Sequence, residues 1–178
     1  MAKELFGISG KINMVNLSNF KVFLYNKFKS IFMHRFTNAK GIELIKYYEG
    51  FKRKAYICAG GHPTIGYGHK ILKGEKFSTI SLMDAEQILA KDLIRTERLV
   101  LRYIDIALHD NQFAALVSFT FNLGGAALQR SVLRQKVNYG LYKEAGREFL
   151  RWVYAGGKRL PGLAVRRRSE RDLFLSDV

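Results

Sequence analysis

Residues 49–69 read EGFKRKAYICAGGHPTIGYGH, and three of them carry chemistry: Glu49, Cys58 and Thr64. Just upstream, Thr37 or Asn38 is placed to N-cap a short helix that runs through Tyr48, and Gly50 fits just past its end. Ile42, Ile45 and Glu49 fall at i, i+3 and i+7 on one face, so Glu49 closes the apolar stripe, while Glu43 and Lys46 point elsewhere. A carboxyl group there is partly desolvated, which favours its protonated form. That is the form a general acid needs at neutral pH. The competing reading is a glutamate that frays into water at a helix end.

Lys54–Cys58 reads as a short strand, and Ala59-Gly60-Gly61-His62-Pro63 as a turn. From Thr64 to Ile71 the pattern alternates, with Ile65, Tyr67, His69 and Ile71 on one face and Thr64, Gly66 and Gly68 on the other. The second face holds a single hydroxyl and almost no side chains. Glycine in a strand often marks close approach of a ligand or a backbone, and a bare face suits a sugar ring. The alternative is a plain glycine-rich hairpin.

Downstream the periodicity is helical. Ser81 and Asp84 form a capping box ahead of a long helix. Asp110 is placed to cap NQFAALVSFTFNLGG, which is apolar nearly all round and so predicts the central buried helix, stopped by Gly124-Gly125. VLRQKVNYG predicts a short helix ending at Gly140. LYKEAGREFLRWVYAGG predicts an amphipathic one with Leu141, Ala145, Phe149 and Val153 inside, and Gly162–Leu175 the last. No internal repeat is visible. The expected fold class is α+β and mainly helical, with a small β-hairpin lobe, a helical-bundle lobe and a ligand cleft between them.

The 178 residues carry 48% hydrophobic side chains, which argues for a real core and against wholesale disorder. Thirty Lys and Arg against fifteen Asp and Glu give a net charge of +15, a balance that draws polyanions such as nucleic acid, anionic membrane or acidic wall polymers. Cys58 is the one cysteine, so no intrachain disulfide forms. Apolar runs such as VFLY at 22–25 and IFM at 31–33 fall far short of the roughly 18 residues a membrane span needs. No standard secretory signal is visible either.

Residues 1–36 differ from the rest. Glu4 is their one acid, beside Lys3, Lys11, Lys21, Lys27, Lys29 and Arg35. Leu17, Phe20, Leu24, Phe28 and Ile31 make one apolar stripe at helical spacing. The expected division is a basic amphipathic appendage over 1–36 and a catalytic domain over 37–178. Residues 17–36 are then a candidate for contact with an anionic membrane, against a helix packed on the following domain or an unstructured leader.

The residues now named resemble those of the phage-type lysozymes, glycoside hydrolase family 24. The resemblance rests on E-x8-C-x5-T followed by IGYGH, and on the blocks DAEQILAKDL, NQFAALVSFTFNLG, YKEAGREFLRW and GGKRLPGLAVRRRSE. It covers about residues 38–175. It implies a lysozyme-like two-lobed fold and hydrolysis of the β-1,4 bond between N-acetylmuramic acid and N-acetylglucosamine in peptidoglycan. Glu49 would be the general acid, and Thr64 would hold water beneath the sugar. Cys58 stands where many members carry aspartate. Gly66, Tyr67, Asn122 and Arg166 would line the substrate, with Arg166 reaching the cleft from the last helix; the competing reading of Arg166–Arg168 is a solvated basic face with Glu170 pairing locally. His69 and Asp92 match a structural salt bridge, and Trp152 a packing aromatic.

Glycosidases ordinarily place two carboxylates about 5–5.5 Å apart for a covalent intermediate, or about 6.5–9.5 Å apart when water sits between them. Here a thiol with an ordinary pKa of about 8.5 replaces one. Cys58 and Thr64 then either orient a water, the reading favoured because Glu49 disfavours a second negative charge, or the thiolate acts directly on the sugar. A lytic transglycosylase cutting the same bond to anhydro-muramic ends, and a non-enzymatic cationic protein acting on membranes, are the rival functions. A zinc amidase built on Cys58, His62, His69 and His109 is disfavoured because their spacing matches no closed zinc pattern. No metal or organic cofactor is expected. Nor is nucleic-acid binding, since no recognition motif is present. A monomer, made in the bacterial cytoplasm and acting in the periplasm or cell wall, is the expected setting.

Overall fold

The computed structural model describes residues 34–58 and 60–178. The amphipathic helix expected over residues 17–31, and its membrane contact, lie outside the described residues. The elements run α1 (Ala39–Glu49), β1 (Lys52–Ile57), β2 (Pro63–Gly66), β3 (His69–Lys70), α2 (Leu82–Tyr103), α3 (Asp110–Leu123), α4 (Gly125–Arg130), α5 (Val132–Asn138), α6 (Tyr142–Phe149), β4 (Tyr154–Ala155), β5 (Lys158–Arg159) and α7 (Pro161–Leu175). The chain is mainly helical with two small antiparallel sheets, ordered β1-β2-β3 and β4-β5. No helix among the described residues is long and apolar enough to cross a membrane.

Helix α3 is the axis of the fold. Every residue from Asn111 to Thr120 is buried, and α1, α2 and α7 all pack on it. Its first turn is satisfied from two sides: the Gln112 side chain accepts from the backbone N–H of His109 at 2.9 Å, and Asp177 accepts from that of Asn111 at 3.3 Å. His109 is therefore the N-cap. Asp110, expected there, sits one residue later and accepts from Arg35 at 2.6 Å. Helix α1 starts as read, with Asn38 accepting from the N–H of Gly41 at 3.0 Å, and α2 starts on the Ser81–Asp84 capping box.

Two sequence expectations give way. Thr64–Ile71 is not one strand. Gly66 and Gly68 take φ of +65° and +83°, a region closed to most side chains. The chain therefore turns back, pairing Thr64 with Lys70 and Ile65 with His69. The bare face predicted for a sugar is folded inward: a Cβ on Gly66 would touch Ile80 and Ala85 at 3.4 and 3.5 Å. The helix predicted over 141–157 ends at Phe149. Beyond it, Gly156 and Gly157, both at positive φ, close the β4–β5 hairpin. A two-residue Gly-Gly turn matches strand twist and favours a hairpin over helix.

The small sheet is pinned to α2 through His69. Its Nδ1 lies 2.7 Å from Asp92 and its Nε2 3.0 Å from Glu75. With a carboxylate at each nitrogen, both nitrogens donate and the ring is an imidazolium. Burial works against that charge, but the hydrogen bonds and charges of Glu75 and Asp92 outweigh it and hold the pKa above the ordinary value. A group held protonated by the fold stabilises it fully below its unfolded pKa, about 6.5, and loses that contribution as pH rises through the raised folded value. His69→Asn is therefore expected to cost more stability at about pH 5.5 than at about pH 9. Urea unfolding at the two pH values measures this, and an equal cost at both would contradict it.

Candidate active site

Glu49 is the last residue of α1, and its side chain is 20% exposed. Gly50 follows at φ +66° and sends its N–H back to the Lys46 carbonyl, ending the helix there. The Glu49 carboxylate is held from below: Arg166 Nη1 donates to Oε1 at 2.7 Å. Gly68 comes in from the sheet side, where a Cβ would stand 3.0 Å from Oε2. Its positive φ and this approach both demand glycine. Oε1 is thus occupied by Arg166, and among the described residues no hydrogen bond reaches Oε2.

Arg166 is itself buried, at 3% exposure. Its Nε donates to Glu170 Oε1 at 3.1 Å, its Nη2 to the Ser118 carbonyl at 3.3 Å, and its guanidinium lies over the Tyr48 ring. Glu170 Oε1 also accepts from Ser118 Oγ at 2.8 Å and from Arg167 Nη2 at 3.1 Å. Arg167 Nε approaches Glu170 Oε2 at 3.0 Å, off the hydrogen-bonding line, so that contact is charge to charge. Arg167 Nη2 also donates to Asn122 Oδ1 at 2.9 Å. Burial lowers the Arg167 pKa to about 10 against the opposing charge of Glu170, so it stays protonated at neutral pH. Burial likewise raises Glu170, opposed by Arg167 and Arg166.

On the other side, β1 delivers Cys58 and the turn returns through Thr64. Cys58 N–H donates to the His62 carbonyl at 3.0 Å, and its carbonyl accepts from Gly61 at 2.8 Å, which closes the turn. Thr64 faces Tyr56 across the ladder and is nearly buried. Its hydroxyl donates to the His62 carbonyl at 3.0 Å. The Thr64 hydroxyl, with help from the backbone at His62 and Gly60, draws the Cys58 thiol pKa below its ordinary value. The site therefore favours a thiolate more than the spacing alone suggested.

The other expected ligand-facing residues are distributed differently. Asn122 is partly exposed and oriented by Arg167. Tyr67 is 7% exposed and packs against Phe51, and Gly66 is closed by Ile80 and Ala85, so both lie in the core. Arg166 lies under Glu49 instead of on an open wall. Nor are Arg166 and Arg167 a solvated face, since Glu170 pairs with them out of water. Sequence reasoning missed the full cluster of Ser118, Arg167 and Glu170. Its readable trace was Glu170 standing at i+4 from Arg166 and i+3 from Arg167 on a helix face that also carries Ala164 and Phe174. Trp152 meets Phe119 edge-on at 5.4 Å, as a packing aromatic does.

Comparison with known proteins identifies the family. The sequence profile of the phage lysozyme family matches residues 46–170. The chain is 41% identical over 143 residues to the endolysin of Acyrthosiphon pisum secondary endosymbiont phage 1, covering 77% of this chain and 96% of that protein. Among solved structures, the endolysin from Escherichia coli O157:H7 phage FAHEc1 aligns with a TM-score of 0.73 at 33% identity, over 82% of this chain and 97% of its own. The muramidase domain of SpmX from Asticaccaulis excentricus also gives 0.73, at 35% identity, over 80% of this chain and 99% of its own. With the family match extending over most of its length and a lysozyme fold around Glu49, the chain belongs to the phage lysozyme family and is a peptidoglycan-hydrolysing glycosidase.

Proposed function

We propose that Glu49 protonates the oxygen of the β-1,4 bond between N-acetylmuramic acid and N-acetylglucosamine, and that Cys58 and Thr64 deliver the water. The observation that carries this is the asymmetry of the Glu49 carboxylate. Oε1 is fixed by buried Arg166 at 2.7 Å, and Oε2 remains to hold and pass the proton. The proton on Oε2 goes to the leaving oxygen as the C1–O bond breaks. Positive charge develops at C1, and a water attacks there. That water gives its proton to the Cys58 sulfur, whose thiolate form the Thr64 hydroxyl favours. When product leaves, the Cys58 thiol gives its proton up to solvent and Glu49 takes one from solvent, which restores both groups.

The catalytic unit is proposed to span 37–178, with 1–36 as an appendage whose last residues already join that unit, His34 at Glu97 and Arg35 at Asp110. Support comes from Thr37, whose N–H and hydroxyl donate to buried Glu97 at 2.7 and 2.8 Å. The family match, beginning at residue 46, lies wholly downstream of that anchor. Action at the cell wall, after synthesis in the bacterial cytoplasm, is the setting that fits a wall-cleaving enzyme.

Glu49→Gln removes the transferable proton and should lower the release of reducing muramic-acid ends from purified peptidoglycan by about 10²–10⁴-fold. Mass spectrometry of the released muropeptides reads this. Anhydro-muramic ends from the wild type would instead establish a transglycosylase. Undiminished cleavage by the variant would remove Glu49 from the chemistry. Separately, the pH midpoint of Cys58 alkylation should lie below about 8.5 in the wild type and move up in Thr64→Val. Coincident midpoints would mean that Thr64 does not hold the thiolate.

A further inference from the structure

The β4–β5 hairpin has no evident folding role. Tyr154 through Gly162 are all exposed, and a two-stranded hairpin of this size contributes little stability on its own. It nevertheless has a defined turn, with Gly156 and Gly157 at φ +56° and +75° in a two-residue connection. Its base is tied by the Leu160 N–H donating to the Val153 carbonyl at 2.9 Å. The hairpin leads directly into α7, whose Arg166 holds Glu49. On α7, Gly162 lies one turn before Arg166 on the same side of the helix, and a Cβ there would meet nothing within 4 Å. A side chain added at Gly162 would therefore stand in open space on the side of α7 that carries Arg166.

The chemistry of the hairpin is specific. Tyr154 pairs with Arg159 across the ladder, so the two side chains stand on the same face as neighbours about 4.5–5.5 Å apart at Cβ. Tyr154 is 63% exposed. No acid occurs between Phe149 and Ser169. The ion pairs described in this part of the chain engage Arg151, Arg166 and Arg167 and, among the described residues, leave Arg159 out. An exposed aromatic ring beside an unengaged guanidinium is complementary to a sugar face with a carboxylate next to it. A membrane surface would need a broader apolar patch than Tyr154 and Leu160 supply.

We propose that the β4–β5 hairpin is a substrate arm, in which Tyr154 stacks on a sugar of the glycan strand and Arg159 binds a carboxylate of the peptide stem that the strand carries. The proposal rests on the muramidase reading above and adds a preference for stem-bearing, acidic glycan. Gly162 keeps the path between the arm and Glu49 clear.

The test compares two substrates with the full chain: purified peptidoglycan bearing its peptide stems, and the same glycan strands stripped of stems by an amidase. Arg159→Gln should raise KM about tenfold on stem-bearing strands with kcat little changed, and should leave stem-free strands unaffected. Tyr154→Ala should raise KM on both substrates. Gly162→Leu, at a helical position where leucine is at ease, should raise KM on both while the melting temperature holds. Equal loss on the two substrates for Arg159→Gln would overturn the stem contact, and no loss for any of the three variants would overturn the arm. Loss of binding to anionic phospholipid vesicles by Arg159→Gln, with peptidoglycan kinetics intact, would also overturn it and assign the hairpin to a membrane. A wild type that cleaves neither substrate would refute the muramidase reading itself.

Discussion

Glu170 is a carboxylate with no water around it, and it is pressed between two arginines. Taking such charges out of water costs several kcal/mol each, and the cost is offset only where geometry and hydrogen bonds are nearly complete. That constraint explains features that look unrelated in the sequence. Helix α3, otherwise apolar, carries Ser118 because Glu170 needs its hydroxyl, and the Ser118 carbonyl is taken by Arg166. Helix α7 carries adjacent buried arginines because one carboxylate organises both. Glu49 then receives a guanidinium already fixed on its far side, and the active carboxylate inherits the rigidity of the core.

Charge pins recur wherever a piece of the fold must be oriented. Glu97 collects the first described residues of the chain, accepting from Thr37 twice and from His34 at 2.7 Å. His69 joins the sheet to α2 through Asp92, and Glu75 closes the loop behind it. Helix α1 is thus anchored near its start by Thr37 and Asn38 and at its end by the Glu49–Arg166 pair. Cys58 and Thr64 sit on a sheet anchored separately. Glu49 and the Cys58–Thr64 turn are thus held by different pins, one on α1 and one on the small sheet.

Local rules were legible in the residues. Asn38, Ser81 with Asp84, Gly50 and Gly124 act through contacts within a few positions, and each ends or starts its helix where the spacing says. The His69–Asp92 pair was legible by resemblance. What was not legible depends on tertiary context. The alternation from Thr64 to Ile71 fits a single strand as well as a hairpin, and the positive φ of Gly66 and Gly68 decides between them. WVYAGG continues an amphipathic pattern until the Gly-Gly turn overrides it. Arg166 resembles any surface arginine until Ser118, 48 residues away, is seen to accept from it. The lowered thiol pKa of Cys58 likewise depends on the Thr64 hydroxyl and the turn backbone at His62 and Gly60, which spacing does not show.

The central claim is that Glu170 and Glu49, which share no hydrogen bond, act on each other through Arg166. Unfolding free energies of Glu49→Gln, Glu170→Gln and the double variant, from urea titrations, close a cycle that measures this directly. A shared arginine predicts that the two costs fail to add, with an interaction energy of about 0.5–3 kcal/mol. Costs that add to within about 0.5 kcal/mol would mean that the buried cluster and the active carboxylate are independent, and would contradict the account.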